Sequence, residues 1–467
     1  MTHDEKRYEL SKELIASKLT HDKRIAEARQ LLHAAVKDYQ QSITEVRPPN
    51  TAVKTEYDET VKLLSHNRGG NLWFPYIGSG IGNGALVELA DGSIKYDFIC
   101  GIGVHFFGHN HPDLLDSGIN AALSNTIMQG HLQQNLDAAE LISFLLHASG
   151  FDHCFLTTTG TMANENAFKI AFQKNHPANR VLAFEHCFAG RSLAMAQVTD
   201  KPGFREGLPP NIIVDYVPFF DPAEPEKSTE KTIQVLKSHL KRYPKQHALM
   251  IFELIQGEAG FNCGDTQFFK SIMTLLKENN VGIMVDEIQS FGRTTELFAF
   301  QYFGLESYVD IVTIGKMSQT CATLFKNEFK PKPGLLSQTF SSSTSGIKGS
   351  LVILKNLING GYYGPQGKIA KLHEYFVSQL TKLEKRHPDL IQGPYGIGCM
   401  IAFTPYKGDP KKVHDFIRRL YEAGVISFSA GGEGKNLARV RFLIPAGVVT
   451  HKDIDQVILI TERELLC

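Results

Sequence analysis

The chain has 467 residues, 42% of them hydrophobic and 21% charged, which is enough to bury a sizeable core in more than one structural unit. Its 49 basic residues balance its 49 acidic ones, so net charge gives no argument for a nucleic acid or an anionic membrane as partner. Seven cysteines without a CxxC pair indicate reduced thiols in a cytoplasmic protein, and no apolar run reaches the ~18 residues of a membrane span.

Residues 1–65 are predicted to form a helical N-terminal extension. Apolar residues recur there at helical intervals among dense charges, without strand alternation, which predicts two amphipathic helices. Pro48-Pro49-Asn50 breaks the helical pattern. Packing on a partner subunit and a purely local structural role are both open for these helices.

Residues 66–100 are assigned to the N-terminal part of a second, smaller domain. Residues 85–89 and 94–98 alternate in hydrophobicity, and Asp91-Gly92 between them is a turn signal, so a β-hairpin is predicted. Pro112 predicts that a helix starts shortly after the hairpin.

Three histidines follow the hairpin at His105, His109 and His111. A metal site is one interpretation of this cluster. No Cys or carboxylate stands beside it at a ligand spacing, so no metal is predicted.

Strands and helices then alternate through residues 101–345, which are predicted to form a large cofactor-binding domain. This rhythm is typical of βαβ units and a mostly parallel sheet. Residues 207–227 hold several prolines and are predicted to be a long connection. After about Gly346 the pattern changes, and residues 346–467 are assigned to the small domain. The fold class is therefore α/β, with a mostly parallel central sheet and a second, smaller α/β domain.

Two predicted strands in the large domain end in ionisable residues. Residues 281–285 lead into Asp286, and residues 309–314 are followed by Gly315 and Lys316. If the strands are parallel, both side chains project from the edge where open α/β sheets bind ligands. A lysine amine and a carboxylate placed in this way suit pyridoxal phosphate, which needs an amine for its Schiff base and an acid beside its ring nitrogen. A turn-capping acid and a solvated lysine are the plain alternative.

Residues 157–165, with the sequence TTTGTMANE, lie between a predicted strand and a predicted helix. Backbone N–H groups at a helix N-terminus bind anions, so this turn is a candidate phosphate site. An ordinary Ser/Thr helix cap is the alternative.

Residues 285–295, VDEIQSFGRTT, together with Ile314-Gly315-Lys316, resemble the signatures of the class III (ω-amino acid) aminotransferases. Similar motifs run in family order from about Gly78 to Pro445. The resemblance implies fold type I of the pyridoxal phosphate enzymes and a relation to ornithine, acetylornithine, 4-aminobutyrate and lysine 6-aminotransferases.

The resemblance also implies a set of cofactor-binding residues. Lys316 would bond the cofactor and move the reacting proton, and Asp286 would pair with the ring nitrogen. Phe188 and Ile288 would lie on the two faces of the ring. Thr339 would reach the phosphate of a neighbouring subunit, which implies a homodimer. The whole set is Gly160, Thr161, Phe188, Asp286, Ile288, Gln289, Lys316 and Thr339.

Three residues are implied to recognise the substrate. Arg191, in a segment similar to the family's aromatic-His-Gly-Arg turn, would bind a substrate carboxylate, which arginine pairs with bidentately. A surface ion pair is the alternative for this residue. Glu258 matches a gate glutamate, which would cover a second arginine while the ω-amine reacts. That arginine is assigned to Arg441, with Arg439 as the alternate.

The chain departs from the family pattern at several positions. Ala189 replaces the family histidine, and Met162 and Leu254 replace an acid and a proline. The loops 317–321 and 341–345 lack the usual glycines. The two altered loops weaken any transfer of substrate preference.

These features predict a transaminase that moves an amino group from an ω-amino acid to 2-oxoglutarate, giving a semialdehyde and glutamate. The donor could be ornithine, acetylornithine, lysine or 4-aminobutyrate. A decarboxylase or aminomutase on the same fold is an alternative, against which Glu258 and Arg441 argue. A non-catalytic cofactor-binding protein is another, against which Lys316 argues. Neither a nucleic acid nor a membrane is expected as a partner.

Overall fold

A computed structural model describes residues 13–125, 127–128, 130, 132–432 and 436–467. The chain divides into two compact units. Unit 1 holds Asn120–Gly367 and the described part of Met1–Lys18, and unit 2 holds Leu19–Ile119 and Lys368–Cys467. Within the described ranges, no helix is both long and apolar enough to cross a membrane.

The unit boundaries differ from the predicted domain boundaries. Residues 101–119 group with unit 2, although they were assigned to the large domain. Residues 346–367 group with unit 1, and the first of them, up to Asn359, belong to a helix that begins at Thr344. Most of the predicted N-terminal extension, residues 19–65, also groups with unit 2.

The helices, in chain order, are Ile15–Thr20 (α1), Lys23–Gln40 (α2), Lys54–Asn67 (α3), Cys100–Gly103 (α4), Pro112–Ala122 (α5), Leu136–Ser149 (α6), Gly160–Lys174 (α7), Met195–Val198 (α8), Pro225–Arg242 (α9), Thr266–Glu278 (α10), Ala299–Tyr302 (α11), Thr344–Asn359 (α12), Lys368–Arg386 (α13), Pro410–Ala423 (α14) and His451–Leu465 (α15). Short 3₁₀ turns lie at Pro202–Phe204, Lys316–Ser318, Asn327–Phe329 and Tyr406–Gly408.

The strands are Gly78–Asn83 (β1), Leu86–Leu89 (β2), Ile94–Asp97 (β3), Ile127–Met128 (β4), His153–Thr157 (β5), Arg180–Phe184 (β6), Ile213–Val217 (β7), His247–Phe252 (β8), Ile255–Gln256 (β9), Asn262–Cys263 (β10), Gly282–Glu287 (β11), Ile311–Ile314 (β12), Cys321–Phe325 (β13), Ser342–Ser343 (β14), Ile391–Ile397 (β15), Met400–Pro405 (β16), Val425–Ile426 (β17), Phe428–Ala430 (β18) and Arg439–Leu443 (β19).

A seven-stranded sheet in the order β5-β13-β12-β11-β8-β6-β7 forms the centre of unit 1. Six strands run in one direction, and β13 alone is antiparallel to its neighbours. Every residue of β8, β11 and β12 is buried, as expected for parallel strands covered on both faces. The predicted, mostly parallel sheet is confirmed.

The helices that flank this sheet carry their own start signals. Asp265 caps α10 by accepting a hydrogen bond from the backbone of Phe268, at 2.7 Å. One face of α10 then buries its apolar residues, which are Phe268, Phe269, Ile272, Met273 and Leu276. Burial of such side chains contributes about 1.5–3 kcal/mol each, so this face holds the helix on the core.

Unit 2 contains two smaller sheets. One has the order β1-β2-β3-β17, with β2 and β3 antiparallel, which confirms the predicted hairpin. The other is an antiparallel sheet in the order β15-β16-β19-β18. Helix α2 corresponds to the second predicted N-terminal helix, whereas the first falls mostly on residues 1–12, which lie outside the described part. Helix α3 was not predicted.

Two strands of the central sheet were missed in the sequence analysis. β7 lies inside the segment that was predicted to be a connection, and β13 begins at the last residue of the altered loop after Lys316. Both strands are short apolar runs flanked by prolines or polar residues, so the sequence pattern did not indicate them. Each is a strand because it pairs with a neighbouring strand of the sheet.

Candidate active site

The strand ends that carry Asp286 and Lys316 lie at the same edge of the sheet. β11 and β12 are parallel, with Asp286 opposite Thr313 and Glu287 opposite Ile314. Lys316 follows Ile314 by two residues and therefore lies at the same carboxyl edge. The geometry predicted from the two apolar runs is confirmed.

A cavity of about 230 Å³ opens at this edge. It is lined by Gly160, Thr161, Asn164, Phe188, Ala189, Gly190, Glu253, Gly257, Glu258, Asp286, Ile288, Gln289 and Lys316. Eight of the predicted site residues are thus brought together from five separate segments of unit 1. Asn164, Glu253 and Gly257 were not assigned a role from the sequence.

Three predicted residues are not in this lining. Arg191 is exposed, and its guanidinium lies 4.0 Å from the ring centroid of Phe204. Thr339 is exposed in the segment before β14. Arg441 belongs to unit 2, where it lies fully buried in β19 with its guanidinium 5.4 Å from the ring centroid of Phe428.

The alternate Arg439 lies two residues earlier in the same strand. Its guanidinium is 3.8 Å from the ring centroid of Tyr395, and burial lowers its pKa. The two arginines therefore differ in burial, since Arg439 keeps part of its surface exposed.

Two hydrogen bonds hold the carboxylate of Asp286. Its Oδ2 accepts from Asn164 Nδ2 at 2.7 Å, and its Oδ1 accepts from the backbone N–H of Ile288 at 2.9 Å. Burial raises the pKa of Asp286 to about 6, against the opposing effects of these donors and of Lys316. The two hydrogen-bond donors and Lys316 favour the ionised form of Asp286, which keeps the acid ionised near neutral pH.

Asn164 is itself held by three elements. Its Nδ2 also donates to the carbonyl of Ala189 at 2.8 Å, and its Oδ1 accepts from the hydroxyl of Thr313 at 2.8 Å. The side chain is almost completely buried. Asn164 therefore joins α7, β12 and the loop of Phe188 to the acid on β11.

Glu253 is a second buried acid in the cavity wall. Its Oε2 accepts from the backbone of Phe188 at 2.7 Å, and its Oε1 accepts from the backbone of Gly257 at 3.2 Å. Burial first, and the nearby Asp286 second, raise its pKa to about 8. It ties the loop of Phe188 to the loop of Glu258.

The start of α7 forms one wall of the cavity. Thr159 caps the helix by accepting from the backbone of Met162 at 3.2 Å, which leaves the first turn directed at the cavity. Gly160 lets Ile288 approach closely, because a Cβ on Gly160 would lie 2.8 Å from Ile288 Cγ2. A helix N-terminus is a favourable place for a phosphate.

Lys316 adopts a left-handed backbone conformation with φ 51°. This region is sparsely populated by residues other than glycine, and such strain clusters at functional sites. The following 3₁₀ turn, Lys316–Ser318, returns the chain into β13. The turn is what directs the lysine towards the cavity rather than into a longer strand.

Glu258 lies beside a lysine of the same unit. Its Oε2 is 3.8 Å from Lys201 Nζ, and the two side chains are 20% and 16% exposed. This cation was not identified from the sequence, because Lys201 lies in a polar loop with no motif.

The lining suits the expected cofactor. A buried acid, a strained lysine and a helix N-terminus face one cavity. The Oε1 of Gln289 is buried there with no hydrogen-bond partner among the described residues. A buried amide oxygen left without a partner costs free energy, so a donor group of a ligand in the cavity would satisfy it.

The histidine cluster is not arranged as a metal site. His109 Nε2 lies 3.0 Å from Asp97 Oδ2, and its ring stands 4.7 Å from the ring of His105. Across the described part of the chain, no group of three or more His, Cys, Asp or Glu is placed to hold a metal ion.

Comparisons with known proteins give the family of the chain and its relatives. The family model "Aminotransferase class-III" matches residues 77–465. Among curated proteins, the chain is similar to one named acetylornithine aminotransferase from Methanocaldococcus jannaschii, with 28% identity over 364 residues, 74% of this chain and 84% of the relative.

Solved structures show a similar fold. A lysine aminotransferase from M. tuberculosis superposes with a TM-score of 0.75 and 22% identity, covering 82% of this chain and 93% of the other. An ornithine aminotransferase from Toxoplasma gondii has a TM-score of 0.74 and 21% identity, covering 89% and 98%.

Proposed function

The chain belongs to the class III aminotransferases, and from that premise we propose that it moves an amino group from an ω-amino acid to 2-oxoglutarate, giving a semialdehyde and glutamate. The observation that carries the proposal is that Asp286, Lys316 and Glu258 line one cavity. An acid and an amine are the groups that the cofactor needs from its protein, and Glu258 is the proposed gate carboxylate.

Family membership confirms the resemblance seen in the sequence. It also confirms pyridoxal phosphate as the cofactor and, with the solved structures, fold type I. When bound, pyridoxal phosphate supplies a carbonyl carbon that takes up the amino group and a protonated ring that withdraws electrons.

The residues of the cavity then have separate tasks. Lys316 Nζ removes the proton from the amine-bearing carbon of the substrate and returns a proton at the end of the half-reaction. Asp286 holds the proton on the ring nitrogen, because a carboxylate beside that atom favours its charged form. Phe188 and Ile288 would contact the ring, and the amide of Gln289 would bond a polar atom of the cofactor.

The first turn of α7 would hold the phosphate of the cofactor. The backbone N–H of Gly160 and the hydroxyl of Thr161 are the proposed donors, at the positive end of the helix. Thr339 would contribute to the same site in a second subunit, so the proposed active form is a homodimer. The proposed location is the cytoplasm. The exposure of Thr339 in a single chain is compatible with its role.

Substrate selection depends on Arg191 and on Glu258. Arg191 binds the carboxylate of the ω-amino acid, and Glu258 covers a cation until the 2-oxo acid arrives, with Arg441 or Arg439 as the proposed cation. The named relatives support an acetylornithine, ornithine or lysine type of donor. The same recognition scheme also fits 4-aminobutyrate.

The experiment is a set of half-reactions with the cofactor-loaded protein. Ornithine, N-acetylornithine, lysine and 4-aminobutyrate are mixed in separately, and the loss of cofactor absorbance near its visible maximum is followed. Addition of 2-oxoglutarate should restore the absorbance and release glutamate, identified by mass spectrometry. The Lys316→Ala variant should show neither the loss of absorbance with the amines nor the release of glutamate with 2-oxoglutarate.

Three results would contradict the proposal. Release of carbon dioxide in the first step would favour a decarboxylase, and an isomer of the donor as product would favour an aminomutase. A protein that binds the cofactor but converts none of the four amines would lack the proposed activity.

A further inference from the structure

The turn that carries Lys316 holds two residues in the left-handed region of the backbone. Lys316 has φ 51° and Gln319 has φ 57°. The backbone N–H of Gln319 donates to the carbonyl of Lys316 at 2.9 Å, and the next N–H, of Thr320, donates to the carbonyl of Ser318 at 2.6 Å. Residues other than glycine persist in such conformations when the surrounding structure holds them there. Contacts from outside the turn are therefore needed to keep its shape.

A serine of helix α12 supplies such contacts. Ser350 Oγ accepts a hydrogen bond from the backbone N–H of Thr320 at 3.3 Å, and it also lies within hydrogen-bonding reach of the carbonyl of Ser318. The carbonyl of Gly346, one helical turn earlier, is 2.8 Å from the same Oγ. Ser350 is fully buried, and Ser318 and Thr320 are 1% and 2% exposed. One hydroxyl thus contacts the turn on both sides of Gln319.

A second pair of hydroxyls joins the two altered loops to each other. Thr320 Oγ1 lies 3.0 Å from Ser342 Oγ, so one of them donates to the other. Ser318 Oγ also donates to the carbonyl of Thr320 at 2.7 Å. Loops 317–321 and 341–345 both lack the usual glycines, and here they meet through side-chain hydroxyls that glycines would not offer.

Helix α12 is itself a fixed support. Its residue Gly346 lets the helix approach the turn closely, because an added Cβ would lie 3.1 Å from Thr320 Oγ1. Two lysines of the helix, Lys348 and Lys355, pair with carboxylates of α6 at 2.8 and 2.6 Å. Contacts made by α12 can therefore hold a strained turn in place.

We propose that Ser350 is a positioning residue for Lys316, whose buried hydroxyl holds the turn that directs the lysine amine at the cavity. The inference rests on the proposed function, in which Lys316 bonds the cofactor. Ser350 does not line the cavity, so it acts through the turn alone. Without its hydroxyl, two buried backbone groups lose a side-chain partner, and the left-handed conformation of Lys316 is populated less often.

The first test separates the bond to Lys316 from occupation of the cavity. Pyridoxal phosphate and pyridoxamine phosphate are titrated separately into the cofactor-free protein. The first carries an aldehyde that bonds a lysine, whereas the second carries an amine at that position and cannot do so. In Ser350→Ala the affinity for pyridoxal phosphate should fall about 5- to 10-fold, as expected for loss of a buried hydrogen bond. The affinity for pyridoxamine phosphate should change by less than about 2-fold.

The second test repeats the titration in Lys316→Ala, which has no amine left to position. In this background Ser350→Ala should change the affinity for pyridoxal phosphate by less than about 2-fold, because residues that act through one contact are not additive. A general loosening of the cavity would instead weaken binding in both backgrounds.

Ser117→Ala is the matched control. Ser117 is a buried serine of helix α5, and its hydroxyl donates to the carbonyl of Leu114 in the same helix at 2.8 Å. This variant should bind both forms of the cofactor like the wild type.

Thr320→Val is a second variant, which carries the test if Ser350→Ala does not fold. It keeps the shape of the side chain and removes its hydrogen bond with Ser342. Its affinity for pyridoxal phosphate should fall about 2- to 5-fold, again without a matching loss for pyridoxamine phosphate. Thermal unfolding of the cofactor-free variants checks that they are folded.

The inference is overturned if Ser350→Ala binds pyridoxal phosphate as tightly as the wild type, or if it weakens the binding of both forms equally. A loss that persists in Lys316→Ala overturns it as well. Failure of the proposed function looks different. If Lys316→Ala binds pyridoxal phosphate like the wild type, the lysine assignment and this inference fail together. If the wild type converts no ω-amine, only the proposed function fails, because the titrations require no turnover.

Discussion

Replacement of Asn164 by alanine tests how the buried acid of the site is kept ionised. The variant removes the hydrogen bond of 2.7 Å that Asp286 Oδ2 receives. A hydrogen bond to a charged group contributes about 1.5–3 kcal/mol. Because about 1.4 kcal/mol corresponds to one pKa unit, the pKa of Asp286 should rise by roughly 1 to 2.

Because the pKa of Asp286 in the wild type is about 6, this rise strongly changes how much of the acid is ionised near neutral pH. At pH 7 the wild-type acid is ionised in roughly ten molecules for each neutral one, whereas in Asn164→Ala the ratio falls to about one or below. Only the ionised form pairs with a protonated ring nitrogen. Cofactor affinity should therefore be retained above the pKa of Asp286 and lost as the pH falls through it.

The assay is the dissociation constant of pyridoxal phosphate, measured by fluorescence from pH 5 to pH 9. In the wild type, binding should weaken below about pH 6. In Asn164→Ala the same weakening should begin roughly 1 to 2 pH units higher. Asn175→Ala is the control, since Asn175 caps the other end of α7 and bonds the backbone of Ala248 outside the cavity.

The reasoning is refuted if the two pH profiles superimpose. It is also refuted if Asn175→Ala moves the profile as far as Asn164→Ala does, because the effect would then come from a general loosening of α7.

Three further predictions concern other parts of unit 1. Borohydride reduction of the loaded protein, followed by peptide mapping, should place the cofactor label on Lys316, and a label on another lysine would contradict the assignment. Gly190→Ala should weaken cofactor binding and destabilise the protein by about 1–3 kcal/mol, because Gly190 has φ 129° and a Cβ would lie 2.5 Å from Thr161 Oγ1. In the control Gly203→Ala, the added Cβ meets nothing within 4 Å, so neither cofactor binding nor stability should change. If calorimetry and cofactor titration gave equal effects for the two variants, the proposed role of the turn at Gly190 would be contradicted. Burial raises the pKa of Glu287 to about 8, so the folded state favours the neutral acid. The stabilising contribution of neutral Glu287 is fully present below the ordinary pKa of 4.5 and is lost as the pH rises through about 8. Urea unfolding of the cofactor-free protein should show that stability falls as the pH rises from about 4.5 to about 8. The fall should be shallower in Glu287→Gln, and equal slopes in the two proteins would disprove this role of Glu287.

Much of the site was predictable because its signals are local. The apolar runs that end at Asp286 and Lys316 mark buried parallel strands by themselves, and the carboxyl edge of such strands is a binding edge. The Thr159 cap and the hairpin of unit 2 follow from neighbouring residues in the same way. The roles of Arg191, Thr339 and Arg441 came from the resemblance alone and stay predictions.

Tertiary structure decided the contacts between distant segments. Asn164 and Asp286 are 122 positions apart, yet they share a hydrogen bond that the sequence pattern does not indicate. Glu253 reaches the backbone of Phe188 across 65 positions, and Lys201 meets Glu258 although its loop carries no motif. Strand periodicity determines which side chains reach the sheet edge, but packing determines which of them touch. Because a buried carboxylate's pKa depends on those contacts, the ionisation of the site is a property of the folded chain and not of its motifs.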